Sequence, residues 1–193
     1  MKGGAVLAVG ILVVAVASGA AQDVSLSVSA GLFFPDHEAF RDIYGSGIPF
    51  SLDVWVGFSR AVGASIGVLY LGQKGTALII EGPEEEHPLK FKMVSVPLSV
   101  FYRASFNRVV VRFGVGLGYH SYREAWKSID IVHKGSDWAP VLYVTIERPV
   151  SGKASVFASL RYESIPTSSG SPVLGDVNVG GITAVAGILV RIH

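Results

Sequence analysis

The chain has 193 residues, half of them hydrophobic, with 16 Lys and Arg against 15 Asp and Glu and a formal net charge of +1. This near-neutral balance gives no electrostatic footprint for a nucleic acid, and no nucleic-acid partner is expected. The sequence contains no cysteine, which excludes disulfides and a lipid-modified amino-terminal cysteine. The length suits one domain with an interior of its own.

The amino terminus has the pattern of a secretory signal. Lys2 is followed by an apolar core over residues 5–17 and then by small residues up to Ala21. A retained membrane anchor is the alternative, but the apolar core is shorter than the roughly 20 residues a spanning helix needs. We therefore predict a signal peptide over residues 1–21, cleaved after Ala20 or Ala21, and one mature domain over residues 22–193.

Eight segments of the remaining chain alternate between apolar and other residues with the period of a β-strand. In the first, Val24, Leu26 and Val28 share one face, while Ser25 and Ser27 share the other. Helical spacing is absent from these segments. The eight predicted strands are residues 24–34, 48–58, 62–71, 94–103, 109–120, 140–146, 154–163 and 182–192.

The fourth and eighth segments carry further information. Pro97 cannot donate to a strand ladder, so it predicts a β-bulge in the fourth strand. The last segment, 182–192, is too short for a spanning helix but suits a strand that crosses a bilayer in about 9 to 11 tilted residues. An unpaired apolar strand is prone to aggregation. We therefore predict that the last strand pairs with the first and closes a barrel.

The connections between predicted strands alternate in length. Long connections cover residues 35–47, 72–89, 121–139 and 164–179. Short connections cover residues 59–61, 104–107 and 150–153. This alternation is typical of outer-membrane barrels, in which long loops lie outside the cell and both termini lie in the periplasm for an even number of strands.

The chemistry of the polar face predicts which face is the lumen. A soluble lipocalin-like barrel, which remains an alternative, would expose Lys, Glu and Gln. Here the polar face consists mainly of Ser, Gly and Thr, small groups that suit a narrow lumen, so the apolar face is predicted to contact lipid. Aromatic residues with lipid-face parity form the two girdles expected at bilayer interfaces. They are Phe34, Tyr70, Tyr119, Trp138 and Tyr162 at one end, and Phe58 and Tyr102 at the other.

Two stretches resemble the small eight-stranded outer-membrane barrels of the OmpA/OmpX and porin-like β-barrel type. Residues 93–102, MVSVPLSVFY, are similar to that group's aliphatic-Pro-Leu strand, and residues 114–119, GVGLGY, to its glycine-rich strand. The closing strand resembles the carboxy-terminal signal read by the barrel assembly machinery, although it ends in His193 rather than in an aromatic residue. The resemblance covers the predicted mature chain and implies an all-β, eight-stranded antiparallel up-and-down transmembrane β-barrel.

The predicted lumen is crowded, as expected for eight strands. Its large side chains are Trp55, Leu69, Phe101, Tyr143, Phe157 and Leu189. Its charged side chains are Asp53, Glu147, Glu163, Arg103, Arg112, Arg161 and Arg191. Buried charges require partners, so we expect ion-pair networks across the lumen, with a gated polar path as the alternative.

Four further polar groups are candidate sites. His120 beside Ser121, and His37 near Asp36 and Glu38, supply the residue types of a hydrolase but no motif. The run 84–87, EEEH, is interpreted as a solvated charge run rather than a cation site. Lys90 and Lys92 have lipid-face parity beyond the membrane band. They could meet lipopolysaccharide phosphates, or simply snorkel.

Together these features predict a monomeric integral protein of the Gram-negative cell outer membrane with a structural or surface-interaction role and a filled lumen. No enzyme chemistry, catalytic residue, cofactor or metal is expected. Its partners would be outer-membrane lipid, lipopolysaccharide and, during insertion, the barrel assembly machinery. The alternative is a narrow porin-like channel or an OmpW-like route for small hydrophobic molecules.

Overall fold

In the computed structural model, residues 22–79, 85–126, 130–166 and 178–192 are described. The predicted signal peptide and His193 lie outside them. Eight antiparallel strands form a closed barrel in chain order, as predicted. The strands are β1 (Asp23–Pro35), β2 (Ile48–Gly57), β3 (Val62–Ile79), β4 (Glu85–Phe106), β5 (Val109–Trp126), β6 (Ile131–Pro149), β7 (Ala154–Glu163) and β8 (Gly181–Arg191). A short helix, α1 (Glu38–Tyr44), connects β1 to β2.

The two ends of the barrel differ. The short-turn end carries the β2–β3, β4–β5 and β6–β7 turns and the start of β1 and end of β8. The helix end carries α1 and the β3–β4 and β5–β6 hairpins. No helix among the described residues is both long and apolar enough to cross a membrane.

The first and last strands close the barrel. They pair antiparallel from Ser25 opposite Arg191 to Pro35 opposite Gly181. This confirms the predicted seam. It also gives the edge of β1 and the edge of β8 a hydrogen-bonding partner along almost their whole length.

The two faces of the wall alternate as predicted. In β1, Ser25, Ser27 and Ser29 are buried, whereas Leu26 and Val28 between them are exposed. All seven girdle aromatics lie on the outer face. Six of them are exposed, while Tyr119 is half-buried with its ring 5.3 Å from that of Trp138. The outer surface is therefore a continuous apolar belt, which lipid can solvate and water cannot.

Two of the predicted long loops are instead strands. Most of residues 72–89 belongs to the β3–β4 hairpin, and most of residues 121–139 to the β5–β6 hairpin. β7 pairs with β6 only between Val141 and Pro149, so a four-stranded sheet projects beyond the rest of the wall. The physical reason is burial, because the inward side chains of this sheet pack on α1 and form an apolar cluster.

The predicted bulge at Pro97 is wrong. Ile66 pairs with Leu98 and Leu69 pairs with Ser95, so the β3–β4 register is the same on both sides of the proline. On the other edge Pro97 pairs in register with Gly118. The missing N–H interrupts one ladder locally, and no extra residue is needed to accommodate it.

The closing seam depends on a close backbone approach at Gly31. A Cβ added there would lie 1.9 Å from the Ala184 carbonyl oxygen and 2.6 Å from the Val185 Cα. Gly31→Ala should therefore push β1 from β8 and destabilise the barrel by about 1–3 kcal/mol, as overpacking does. Thermal unfolding in detergent, followed by circular dichroism, measures this. Gly152→Ala is the control, since its Cβ meets nothing within 4 Å. Equal unfolding temperatures for the two variants would contradict a tight seam.

Candidate functional site

The lumen at the helix end is filled by an apolar group, called here the helix-end cluster. Its buried members are Phe33, Phe40, Tyr44, Leu69, Leu71, Leu89, Phe91, Met93, Tyr122, Trp126, Ala139, Ile165 and Val179. Phe40 of α1 is fully buried, and its ring packs edge-on against that of Phe91 with centroids 4.9 Å apart. The helix therefore closes this end of the lumen as a plug.

The sequence of α1 explains how it is held. Phe40, Ile43 and Tyr44 recur at the spacing that places side chains on one helix face. A helix of seven residues is marginal alone, so packing in the barrel must stabilise it. The Tyr44 hydroxyl donates to Glu124 Oε1 at 2.7 Å. Burial, followed by this hydrogen bond and the charge of Glu124, raises the pKa of Tyr44 well above its usual value, so the donor persists at neutral pH.

A second apolar group, called the lower cluster, fills the middle of the lumen. It consists of Trp55, Phe101, Val141, Tyr143, Phe157 and Leu189. The Trp55 ring lies 5.6 Å from that of Phe101 and 5.7 Å from that of Tyr143, both in edge-on arrangements. Gly114 makes room, because a Cβ there would lie 2.1 Å from Tyr143 Cζ. Gly114 on β5 is thus the complement of a large residue on the neighbouring strand β6.

A polar network centred on Asp53 lies beside the lower cluster. Asp53 accepts hydrogen bonds from Ser51 at 2.9 Å and Ser27 at 3.5 Å, and its other oxygen lies 3.4 Å from Arg161 Nη2. Trp55 Nε1 donates to Ser27 at 2.9 Å. The small hydroxyls seen in the sequence therefore solvate a buried carboxylate that water cannot reach freely.

Two further ion pairs lie towards the short-turn end. Arg112 Nη2 lies 2.5 Å from Glu147 Oε2, and both side chains are buried. Arg103 Nη1 lies 2.8 Å from Asp23 Oδ2, a partner that the sequence did not indicate. Five of the seven predicted lumen charges therefore have an ion-pair partner as expected, but in three individual pairs that share no residue rather than in a connected network. Within the described residues, Glu163 and Arg191 form no ion pair.

At the short-turn end the lumen opens into a cavity of about 430 Å³, called here the arginine mouth. Four guanidinium groups and two carboxylates contribute to its lining. The full lining is Gln22, Asp23, Arg60, Arg103, Ser105, Val110, Arg112, Glu147 and Arg191. The cavity ends against the lower cluster, since the Arg112 Cζ lies 5.1 Å from the centroid of the Trp55 ring.

On the outside of the helix end, five cations form a group called here the basic patch: Lys74, Lys90, Lys92, Arg123 and Lys134. Arg123 stands opposite Lys92 on one side and Lys134 on the other, and Lys74 stands opposite Lys90. Lys90, Lys92 and Arg123 also line a cleft of about 220 Å³. Among the described side chains none of the five forms an ion pair. Like charges that stand directly opposite each other on paired strands destabilise the folded state. The stability of the barrel therefore gives no reason for the basic patch.

The histidines considered for catalysis do not form an accessible site. His120 Nδ1 lies 2.7 Å from Ser95 Oγ, not from its sequence neighbour Ser121, which points outward. Ser95 and His120 are both fully buried, so no substrate carbonyl can approach the hydroxyl. His37 precedes α1 and makes no side-chain capping hydrogen bond.

The acidic run 84–87 is only partly described. Glu84 and the side chains of Glu85 and Glu86 lie outside the described residues, and His87 is buried with its ring 6.3 Å from that of Trp126. In the described part of the chain, no three metal-ligating side chains come together.

Comparison with known proteins shows the fold. No protein-family model matches the sequence, and no curated protein matches it. Outer membrane protein OprG from Pseudomonas aeruginosa is similar in structure, with a TM-score of 0.70 at 14% identity over 90% of this chain and 97% of OprG. Neisserial surface protein A has a TM-score of 0.59 at 14% sequence identity, and the match covers 87% of this chain and 96% of that protein. A major outer membrane protein from Thermus thermophilus has a TM-score of 0.58 at 14% sequence identity, and the match covers 88% of this chain and 98% of that protein. The chain thus has the fold of small outer-membrane barrels, which confirms the predicted resemblance.

The sequence pattern did not predict the plug helix or three of the five cations of the basic patch. Residues 35–47 are predicted above as a connection, although Phe40, Ile43 and Tyr44 already have helical spacing. Lys74, Arg123 and Lys134 fall in the two connections that are strands. Extending the alternation past residues 71 and 120, and back from residue 140, places these cations on one outer face with Lys90 and Lys92.

The hydrogen bond between Tyr44 and Glu124 should hold the plug in place. Tyr44→Phe leaves the buried Glu124 without this donor, at a cost of about 1–3 kcal/mol, and should loosen α1. Arg41 is half-exposed on α1, so trypsin should then cleave after it faster, which mass spectrometry can follow. Tyr44→Phe combined with Glu124→Leu removes both partners and should restore slow cleavage. Tyr70→Phe on the outer face is the control. Wild-type cleavage rates in Tyr44→Phe would show that the bond does not hold the helix.

Proposed function

We propose that this protein is an integral outer-membrane barrel with a sealed lumen, serving a structural or surface-interaction role rather than transport or catalysis. The observation that supports this most is the filling of the lumen. The helix-end cluster and the lower cluster lie in succession along the barrel axis, and α1 covers the first. A solute would have to displace buried aromatic side chains at both levels.

The proposed orientation places the helix end outside the cell and both termini in the periplasm. The start of β1 and the end of β8 lie together at the short-turn end, where Ser25 pairs with Arg191. Short turns at one end and long hairpins at the other are the arrangement of outer-membrane barrels. Closure by β1 and β8 leaves no free edge, which supports a monomer inserted by the barrel assembly machinery.

Planar-bilayer recording tests the sealed lumen. The wild-type protein should show little or no steady conductance. Replacing residues 38–44 with a Gly-Ser linker should leave it closed, because the lower cluster remains. Truncating Trp55, Phe101 and Tyr143 to Ala should also leave it closed, because the plug remains. Combining both changes should open a path.

Anomalous gel mobility of unheated samples would establish that each variant is folded. Large, stable channels from the wild-type protein would contradict the proposal and favour the alternative, a narrow channel or a route for small hydrophobic molecules.

We further propose that the basic patch binds the phosphates of lipopolysaccharide. Lys74, Arg123 and Lys134 each lie four residues beyond an outward aromatic residue of the same strand. Four residues span about 13 Å along a strand, which carries the cations past the aromatic girdle into the headgroup layer. Simple snorkelling explains single lysines at this height. It does not explain three cations directly opposite one another on β4, β5 and β6.

The patch can be tested with the triple variant Lys92→Gln, Arg123→Gln and Lys134→Gln. At about 1 kcal/mol for each basic residue near a charged membrane surface, affinity for lipopolysaccharide should fall about a hundredfold. Binding to detergent-solubilised protein would be measured with intact and with dephosphorylated lipopolysaccharide. The matched control removes three cations at the other end, Arg108, Arg148 and Lys153, and should bind as the wild type does. Equal binding of the two lipopolysaccharides to the wild type would show that phosphate is not recognised.

A further inference from the structure

The arginine mouth has more positive charge than its own carboxylates neutralise. Glu147 is paired with Arg112, and Asp23 with Arg103. Arg60 and Arg191 also line the cavity, and neither forms an ion pair among the described residues. The lining thus carries four guanidiniums against two carboxylates, an excess of two positive charges.

Arg112 supplies a separate indication of a ligand. Its side chain is only 4% exposed, yet its Nε and Nη1 atoms have no hydrogen-bond partner among the described residues. Its Cζ lies 5.1 Å from the centroid of the Trp55 ring and 5.7 Å from that of Phe101, so the guanidinium packs against the lower cluster. Those two nitrogens are shielded from solvent, so within the described part of the chain only Glu147 and the two rings offset the charge of Arg112. A rigid guanidinium of this kind at the floor of a cavity favours an oxyanion in front of it.

Arg103 stands opposite Arg112 on the neighbouring strand and is fixed by hydrogen bonds. Its three nitrogens donate to Asp23 at 2.8 Å and to the carbonyls of Arg60 and Ser59 at 3.1 Å each. Arg103 therefore has little capacity left for a ligand. It contributes positive charge and holds the β2–β3 turn, which positions Arg60 at the rim.

We propose that the arginine mouth binds a small multivalent oxyanion, such as a diphosphate or a phosphorylated small molecule, that enters from the short-turn end. Arg112 contacts the ligand at the floor, and Arg60 and Arg191 contact it at the rim. A multivalent anion offsets the excess positive charge. The cavity volume of about 430 Å³ lies within the range of small-molecule sites. The site is independent of the basic patch and of the barrel's orientation.

Calorimetric titration of the folded full chain in detergent with inorganic pyrophosphate tests the site. The wild type should show saturable binding to one site. Arg60→Gln with Arg191→Gln should weaken it at least about tenfold, since hydrogen bonds to charged groups are the strong ones. Arg112→Gln with Glu147→Gln, which keeps the net charge and leaves no buried unpaired ion, should weaken it similarly.

The matched control is Arg108→Gln with Arg148→Gln. This variant removes two cations at the same end, one in the β4–β5 turn and one on the outer face of β6, where neither lines the cavity. It should bind as the wild type does. Absence of saturable binding at millimolar pyrophosphate, or equal weakening in the control, would overturn the proposal. Conductance of the wild type, measured separately, bears on the sealed lumen and not on this site.

Discussion

The pairing of β1 with β8 is the constraint on which the rest of this structure depends. A backbone group left unpaired in the hydrocarbon of a bilayer costs several kcal/mol, so an apolar-faced sheet of eight strands must close. Closure fixes the alternation of faces around the whole wall, because a slip of one residue would turn every side chain to the wrong face. The outward apolar belt and the inward serines, glycines and charges follow from this one seam.

Closure of the barrel also creates an interior that side chains must fill. An eight-stranded barrel encloses a space that side chains just fill, and voids there would forfeit packing. The chain solves this by pairing glycines with large residues across neighbouring strands, as Gly114 does with Tyr143. At the helix end the side chains of α1 complete the filling of the lumen, since Phe40 and Tyr44 belong to the buried cluster there. The plug therefore completes the core of the barrel.

The period of two was sufficient to predict the eight strands, their order, the lumen face and the large lumen residues such as Trp55 and Leu189. It could not predict how far the hairpins extend, because the composition rich in Gly, Pro and Glu after residue 72 resembles that of a loop. Helix α1 was not predicted, because a pattern of seven residues is too short to recognise and such a helix gains its stability only from tertiary packing. The ion pair between Arg103 and Asp23 was not predicted, because the residues lie on β4 and β1, which are not neighbours in the barrel.

The cations at the two ends differ in kind as well as in place. Inside the arginine mouth every cation is an arginine, whose planar group can satisfy fixed acceptors and stack on an aromatic ring, as Arg112 does on Trp55. On the basic patch four of five are lysines, whose hydrated charge and flexible stem suit a wet surface with acceptors at variable positions. Interspersed acids would relieve charge repulsion. In the arginine mouth Asp23 and Glu147 neutralise only two of the four arginines, and on the basic patch no acid stands opposite a cation in the described ladders. The two ends of one nearly neutral chain therefore carry two distinct cationic surfaces, one lining a cavity and the other an open face of the wall.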